Sequence, residues 1–193
     1  MNTITMPARR RTGALRTAAA RALAIGALAA IPTLALAGPA QALTNVSILG
    51  GKLLINSGDV SDNITITRSG ATITVTNTAD TLISAACAAV NANTVSCAAG
   101  GVTNVQVNVQ DGNDTVRNDS GLPLRAFMGL GADNYFGGTA QDIVNGDGGD
   151  DVLRGSGGNN DVVSGDAGFD QGSGGSGSGD ICETEFRSST CEG

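Results

Sequence analysis

After residue 42, apolar and polar residues alternate along several short stretches of the chain. The segments Ile64-Thr65-Ile66-Thr67 and residues 72–76 show this pattern, and turns that contain glycine separate them. A period of two with β-branched residues is typical of strands joined by hairpins. Residues 43–108 are therefore predicted to be a Thr/Val-rich β-strand segment. Only residues 79–90 are compatible with a helix, and their Thr, Ser and Cys residues disfavour one.

From residue 109 onward the chain repeats with a period of nine residues. Aspartate occupies the sixth position of each unit, at Asp114, Asp133, Asp142, Asp151, Asp161, Asp170 and Asp180. In such a unit the glycines bend the chain, and the D-x-U-x part is a short strand with the apolar residue U pointing inward. Residues 109–183 are therefore predicted to form a β-solenoid of nonapeptide repeats, in an all-β chain.

Two units make one coil of about 18 residues, so alternate aspartates stack on the same edge. Asp114, Asp133, Asp151 and Asp170 are predicted to line one edge, and the remaining three the other. Strands stack ~4.8 Å apart, and two bare carboxylates ~5 Å apart repel by roughly 3 kcal/mol at an effective dielectric of about 20. Several such pairs approach the whole free energy of unfolding of a domain, ~5 to 15 kcal/mol. Bound cations are therefore expected, and flexible carboxylate and carbonyl donors favour calcium over magnesium.

The chain resembles the RTX (hemolysin-type) calcium-binding repeat proteins in the segments DGNDTV (residues 111–116) and GDGGDDVL (residues 146–153). The resemblance covers residues 109–183. It implies a short parallel β-roll in which calcium lies between stacked turns, held by the sixth-position aspartate and by glycine carbonyls. The metal-binding residues it implies are Asp114, Gly131, Asp133, Asp142, Gly149, Asp151, Asp161 and Asp170.

Some units depart from the family pattern. Ala140 and Asn159 replace the fourth-position glycine, and Gly172 replaces the inward apolar residue. The Gly/Ser tract 172–179 is interpreted either as a frayed last coil or as a flexible linker. In its Thr-rich β segment with a cysteine pair before the repeats, the chain more closely resembles small secreted bacterial repeat proteins than RTX toxins or proteases.

Residues 1–42 have the pattern of a signal peptide. They contain five arginines and no acidic residue, followed by an apolar stretch over residues 22–37. Ala40 and Ala42 offer a cleavage site before Leu43, which predicts a secreted, extracellular protein. A membrane span is disfavoured, because the stretch is shorter than ~20 residues and is interrupted by Gly26 and Pro32. A transit peptide and twin-Arg export through Arg10-Arg11 are the alternatives.

The four cysteines form two pairs that are close in sequence, Cys87 with Cys97 and Cys182 with Cys191. Two local disulfides are favoured over a zinc site, because the chain lacks C-x2-C knuckles. The second pair would close the C-terminal tail, residues 184–193.

The net charge of the chain after residue 42 limits the classes of partner that it can bind. Residues 43–193 carry 6 basic and 18 acidic groups, a net charge of −12. Such a surface repels nucleic acid and anionic lipid, and it suits cations. The chain has no histidine, which excludes a Ser-His-Asp triad.

These features predict a non-enzymatic calcium-binding protein that acts as an extracellular structural or interaction module. Its predicted partners are calcium ions and a cell-surface or matrix polymer. The alternative is a carbohydrate-active enzyme or an accessory module of one. Such an enzyme uses paired carboxylates, so a solvent-lined acidic pocket outside the repeat register would favour this alternative.

Overall fold

The computed structural model describes residues 43–192, and the predicted signal peptide lies outside these residues. Within them the chain forms β-strands and no helix, which confirms the all-β class. None of the described residues belongs to a helix capable of crossing a membrane. The strands are β1 (Leu43–Leu49), β2 (Lys52–Asn56), β3 (Asn63–Ser69), β4 (Thr72–Asn77), β5 (Thr81–Ile83), β6 (Ala88–Asn91), β7 (Thr94–Ala98), β8 (Asn104–Asn108), β9 (Thr115–Asp119), β10 (Leu124–Phe127), β11 (Asn134–Phe136), β12 (Asp142–Asn145), β13 (Val152–Arg154), β14 (Val162–Ser164), β15 (Gln171–Ser173), β16 (Ile181–Glu183) and β17 (Phe186–Arg187).

The strands of the described chain lie in two mixed sheets. Sheet 1 has the order β16-β14-β12-β10-β8-β2-β1-β5, and sheet 2 has the order β17-β15-β13-β11-β9-β3-β4-β7-β6. From β8 onward, successive strands alternate between the sheets. β8 and β9 pair in parallel with β2 and β3, and each strand from β10 onward pairs in parallel with the strand two places earlier. Antiparallel hairpins form the N-terminal end of both sheets.

Two segments with an ambiguous sequence pattern are resolved by strand pairing. Residues 79–90 contain β5 and the start of β6, because β6 pairs with β7 beside the Cys87–Cys97 disulfide. The Gly/Ser tract is hydrogen-bonded to the preceding repeats and is not a linker. It contributes to β15, and the N–H of Ser176 donates to the carbonyl oxygen of Ser156 at 2.9 Å.

A narrow apolar core runs between the two sheets, with about one inward side chain from each short strand. In sheet 1 the inward column is Val107, Ala126, Val144, Val163 and Cys182. In sheet 2 it is Val116, Tyr135, Leu153 and Gly172. Both columns point inward because alternate residues of a strand face the same side.

Disulfides hold both ends of this core. Cys87 is bonded to Cys97, and Cys182 to Cys191, with S–S distances of 2.01 and 1.97 Å, so both predicted pairs are confirmed. Cys182 is fully buried, and it packs toward Gly172, which has no side chain to fill the core there. The second disulfide therefore supplies apolar volume to the last coil.

Candidate metal centre

The sixth-position aspartates form two buried, hydrogen-bonded ladders, one along each sheet. The sheet 2 ladder contains Asp114, Asp133, Asp151 and Asp170, and the sheet 1 ladder contains Asp142, Asp161 and Asp180. Each of the seven residues is at most 1% exposed. The side chains point inward because each aspartate lies two residues before an inward core position, on the same face of the strand.

Backbone hydrogen bonds join the members of each ladder. The N–H of Asp133 donates to Oδ1 of Asp151 at 2.8 Å, and the N–H of Asp151 donates to Oδ1 of Asp170 at 2.9 Å. The N–H of Asp142 makes the same contact with Oδ1 of Asp161, at 2.8 Å. The parallel register thus places each carboxyl against a peptide N–H of the preceding coil.

The second carboxyl oxygen of most ladder members is buried and has no hydrogen-bond partner. These Oδ2 atoms belong to Asp114, Asp133, Asp151, Asp161, Asp170 and Asp180. Leaving a charged oxygen in this state is costly unless a donor or a cation reaches it.

Asp142 differs from the other ladder members because both of its oxygens accept hydrogen bonds. Its Oδ2 accepts from the N–H of Gly138 at 2.7 Å, and its Oδ1 accepts from the N–H of Leu124 at 3.0 Å. Asn118 Nδ2 also donates to Oδ1, at 3.1 Å. Leu124 occupies the ladder position of the preceding coil in sheet 1, so this ladder begins at Asp142.

Glycine carbonyls lie beside the unpartnered oxygens. A Cβ built on Gly155 would lie 2.5 Å from Oδ2 of Asp161 and 2.6 Å from the carbonyl oxygen of Gly174. A Cβ on Gly146 would overlap Oδ2 of Asp151 and lie 2.9 Å from the carbonyl oxygen of Gly165. A carboxyl oxygen without a hydrogen-bond partner and a carbonyl oxygen therefore both lie close to each of these glycines. The two oxygens are both hydrogen-bond acceptors, so they repel each other unless a proton or a cation binds between them.

The structure places the two predicted glycines, Gly131 and Gly149, at tight turns where the coils stack. Their φ angles are 143° and 132°, and a Cβ on Gly149 would overlap the carbonyl oxygen of Gly131. Glycine is needed at these positions because the backbones approach closely. The glycines beside the unpartnered Oδ2 atoms are instead the first residues of the units, among them Gly146 and Gly155.

Two residues that the sequence analysis missed extend the sheet 2 ladder. The N–H of Asp62 donates to Oδ1 of Asp114 at 2.7 Å, and the N–H of Asp170 donates to Oε2 of Glu185 at 2.9 Å. Both lie outside the nine-residue period. The only signal in the sequence is Asp62-Asn63-Ile64, which repeats the D-x-U pattern of Asp114-Thr115-Val116.

Asp62 also belongs to a buried polar network in the N-terminal part of the fold. Its Oδ1 accepts from Asn77 Nδ2 at 2.6 Å, and its Oδ2 accepts from the hydroxyl of Ser57. Thr44 Oγ1 donates to Oδ2 of nearby Asp80 at 3.4 Å. Asp62 and Asp80 are 3% and 5% exposed, so this acidic pair is not the solvent-lined pocket that would favour a carbohydrate-active enzyme.

Burial shifts the titration of the ladder carboxyls. It raises the pKa of Asp114 and of Asp151 to about 7, and the pKa of Asp133 and of Asp142 to about 6. Hydrogen bonds from backbone N–H groups lower these pKa values and neighbouring carboxyls raise them, both less than burial does. The ladder carboxyls therefore exchange protons near neutral pH, and a cation that bound them there would have to displace those protons.

The donor set consists of oxygens only. Among residues 43–192, no three acidic or cysteine side chains converge on one point. A cation in the ladder would therefore bind one or two carboxylates together with backbone carbonyl oxygens. Hard oxygen donors of this kind suit calcium, which accepts carbonyl ligands and irregular geometry.

In comparisons with known proteins, no family model, no curated protein and no solved structure matches this chain.

Proposed function

We propose that this chain is a secreted calcium-binding protein of the RTX-like type, in which nonapeptide repeats form a short parallel β-roll that folds when calcium binds. The observation that carries the proposal is the set of six buried Oδ2 atoms without a hydrogen-bond partner. A stack of half-satisfied carboxyls is unstable as anions, and cations are the ligands that remove the repulsion.

The ligands would come from both ladders and from the backbone. In the sheet 2 ladder they are the carboxyls of Asp114, Asp133, Asp151 and Asp170, and in the sheet 1 ladder those of Asp161 and Asp180, with glycine carbonyls completing each set. Asp142, predicted as a ligand from the sequence, has both oxygens hydrogen-bonded and would have to give up these bonds to bind calcium. When bound, calcium neutralises the carboxylates and links adjacent coils. Glycine is needed at positions 146 and 155, because a Cβ there would overlap the carboxyl oxygen of Asp151 or Asp161.

The role that suits these properties is that of an extracellular structural or interaction module, and the proposal assigns no catalytic step to the chain. Two disulfides fit an oxidising compartment, and the net charge of −12 over residues 43–193 fits a calcium-rich one. In that setting calcium would stiffen a chain that presents its outer sheet faces to a cell-surface or matrix polymer.

Far-UV circular dichroism tests the proposal. Residues 43–193, with both disulfides formed and all metal removed by chelation, are titrated with calcium and separately with magnesium at neutral pH. We expect a transition from coil to β-structure with calcium and a much weaker response to magnesium. Extracellular calcium modules have a Kd of about 0.1 to 1 mM, which sets the range of the titration.

A spectrum that is already fully β without metal, and that calcium leaves unchanged, would contradict the proposal. An equal response to both ions would show charge screening rather than a calcium site. Repeating the titration at matched ionic strength with sodium separates these two effects.

A further inference from the structure

The outer face of sheet 2 from β9 to β17, here called the arginine face, has a charge opposite to that of the protein as a whole. Of the six basic residues that follow residue 42, two lie on the outer face of these strands, Arg117 and Arg154. Asp119 is the one acidic residue among the exposed or partly exposed positions of these strands. The face is thus locally cationic on a strongly acidic protein.

An aromatic ring at the centre of the arginine face contacts two arginines. Parallel pairing places Phe136 between Arg117 and Arg154 on the two neighbouring strands. The guanidinium carbons of Arg117 and Arg154 lie 5.8 and 5.1 Å from the centroid of the Phe136 ring. Contact with the ring restricts the motion of both guanidinium groups, which lowers the entropy lost when they bind a ligand.

The two stacked arginines differ in their remaining contacts. Arg117 forms an ion pair with Asp119, with an Nε–Oδ2 distance of 2.7 Å. Within residues 43–192, the guanidinium of Arg154 has no ion pair or hydrogen bond, and its one partner is the Phe136 ring. Its N–H donors are therefore available to a ligand.

A shallow groove of about 260 Å³ runs beside Arg154. Gln171, Ser173 and Ser188 line it with polar groups, and Phe186, which is 60% exposed, forms an aromatic wall. The guanidinium of an arginine can bind a carboxylate through two hydrogen bonds. The neighbouring amide and hydroxyl groups can hydrogen-bond to ligand hydroxyls, and the exposed ring offers an apolar surface for C–H groups.

We propose that the arginine face binds a carboxylated polysaccharide, with the guanidinium of Arg154 pairing with a uronate carboxylate in this groove. Gln171, Ser173 and Ser188 contact sugar hydroxyls, and Phe186 packs against the sugar ring. A polymer with one carboxylate per sugar fits a face on which Arg154 is the cation without an acidic partner. The net charge of −12 over residues 43–193 disfavours nucleic acids and anionic membranes, which present a much denser negative charge.

The inference rests on the proposed role as an interaction module, and it names the partner class and the surface. It does not depend on the aspartate ladders, which point into the core. Binding to the sugar and folding with calcium can therefore be measured separately.

Isothermal titration of the calcium-loaded protein with tetragalacturonate tests the inference, with neutral maltotetraose as the ligand control. The short oligosaccharide avoids gel formation by calcium. We expect tetragalacturonate to bind and maltotetraose not to bind. Arg154→Gln should weaken binding by about tenfold or more, because a charged hydrogen bond is lost.

Arg125→Gln is the matched control variant. Arg125 is also exposed and stacks on an aromatic ring, 5.4 Å from the centroid of Phe127, but it lies on sheet 1. The Arg125→Gln substitution should leave the affinity for tetragalacturonate unchanged. Circular dichroism of each variant with calcium checks that the fold is intact.

Three results would overturn the inference: absence of binding to the folded protein, equal losses in the two variants, or binding of double-stranded DNA or phosphatidylserine vesicles in place of the oligosaccharide. If binding fails while calcium still induces folding, the inference alone is wrong. If the calcium response is absent while binding that depends on Arg154 persists, the calcium proposal is wrong and the inference stands.

Discussion

The backbone N–H of Asp133 donates a hydrogen bond of 2.8 Å to Oδ1 of Asp151, whereas Oδ2 of Asp151 receives none. One oxygen of the carboxyl therefore has a structural role in joining two coils. The other packs against Gly146, which also lies close to the carbonyl oxygen of Gly165. The two oxygens of this carboxyl can therefore be tested separately by substitution.

Replacing Asp133 and Asp151 together by asparagine should remove the dependence of folding on calcium. The amide oxygen can still accept the backbone N–H, and the amide nitrogen can donate toward the glycine carbonyl, so the metal-free form should be more folded than that of the original protein. Replacing both by alanine should abolish calcium-induced folding altogether. Circular dichroism with and without calcium measures both effects.

Asp59→Asn serves as the control, because Asp59 is exposed and lies outside both ladders. It should titrate with calcium as the original protein does. Unchanged calcium-induced folding in the double alanine variant would rule out these carboxyls as ligands.

The metal-free protein should lose stability as the pH rises. The folded-state pKa values of Asp114 and Asp151, about 7, lie above their usual value of 3.8, so the folded state holds more protons in this range. The free energy of unfolding should be largest near pH 4 and fall between about pH 4 and about pH 7. Urea unfolding in the presence of a chelator measures it.

Calcium should reverse this trend, because protons compete with the metal for the same carboxyls. In saturating calcium, stability should rise over the same pH range. If the free energy of unfolding of the metal-free protein stays constant or increases between these pH values, ionisation of the ladder carboxyls does not destabilise the folded state.

Gly146→Ala should destabilise the protein and weaken calcium binding, because the added Cβ would overlap Oδ2 of Asp151. Overpacking of this kind costs about 1 to 3 kcal/mol. Gly100→Ala is the matched control, since a Cβ there meets no atom within 4 Å. Urea unfolding and calcium titration of both variants make the comparison, and similar behaviour of the two would argue against a site at Gly146.

Terbium, a luminescent substitute for calcium, should emit when Tyr135 is excited. Tyr135 is the only tyrosine of a chain without tryptophan. It is fully buried, and burial together with the carboxyls of Asp142 and Asp161 raises its pKa well above the usual value. Its ring therefore lies near the sheet 1 ladder.

Tyr135→Phe should abolish the sensitised emission while terbium still induces folding. Competition by added calcium should quench the emission of the original protein. Binding of terbium without any sensitised emission would place the metal away from the sheet 1 ladder.

Replacing Cys182 and Cys191 together by alanine should open the last coil first. A disulfide that closes a loop of about ten residues contributes roughly 2.5 to 3 kcal/mol, and Cys182 is also the inward side chain of β16. Hydrogen exchange should increase over residues 171–192 and stay slow in β3 and β4. A uniform increase along the chain would show that the disulfide stabilises the fold as a whole.

The sequence by itself determined the all-β class, both disulfides and the stacking of the aspartates in two groups. These features follow from local rules. Side chains alternate with a period of two along a strand, and a nine-residue unit brings residues about 18 apart into register. The binding of calcium and the RTX likeness are still predictions from these patterns.

The tertiary structure alone decided which partners each carboxyl finds. Asp62 joins the ladder next to Asp114 although 52 residues separate them, because β3 pairs with β9 across the intervening hairpins. Asp142 is fully hydrogen-bonded because Leu124 and Gly138 present N–H groups to its two oxygens. Arg154 reaches the Phe136 ring only through the pairing of β11 with β13. Contacts between distant parts of the chain depend on which strands pair, and no local period in the sequence encodes that choice.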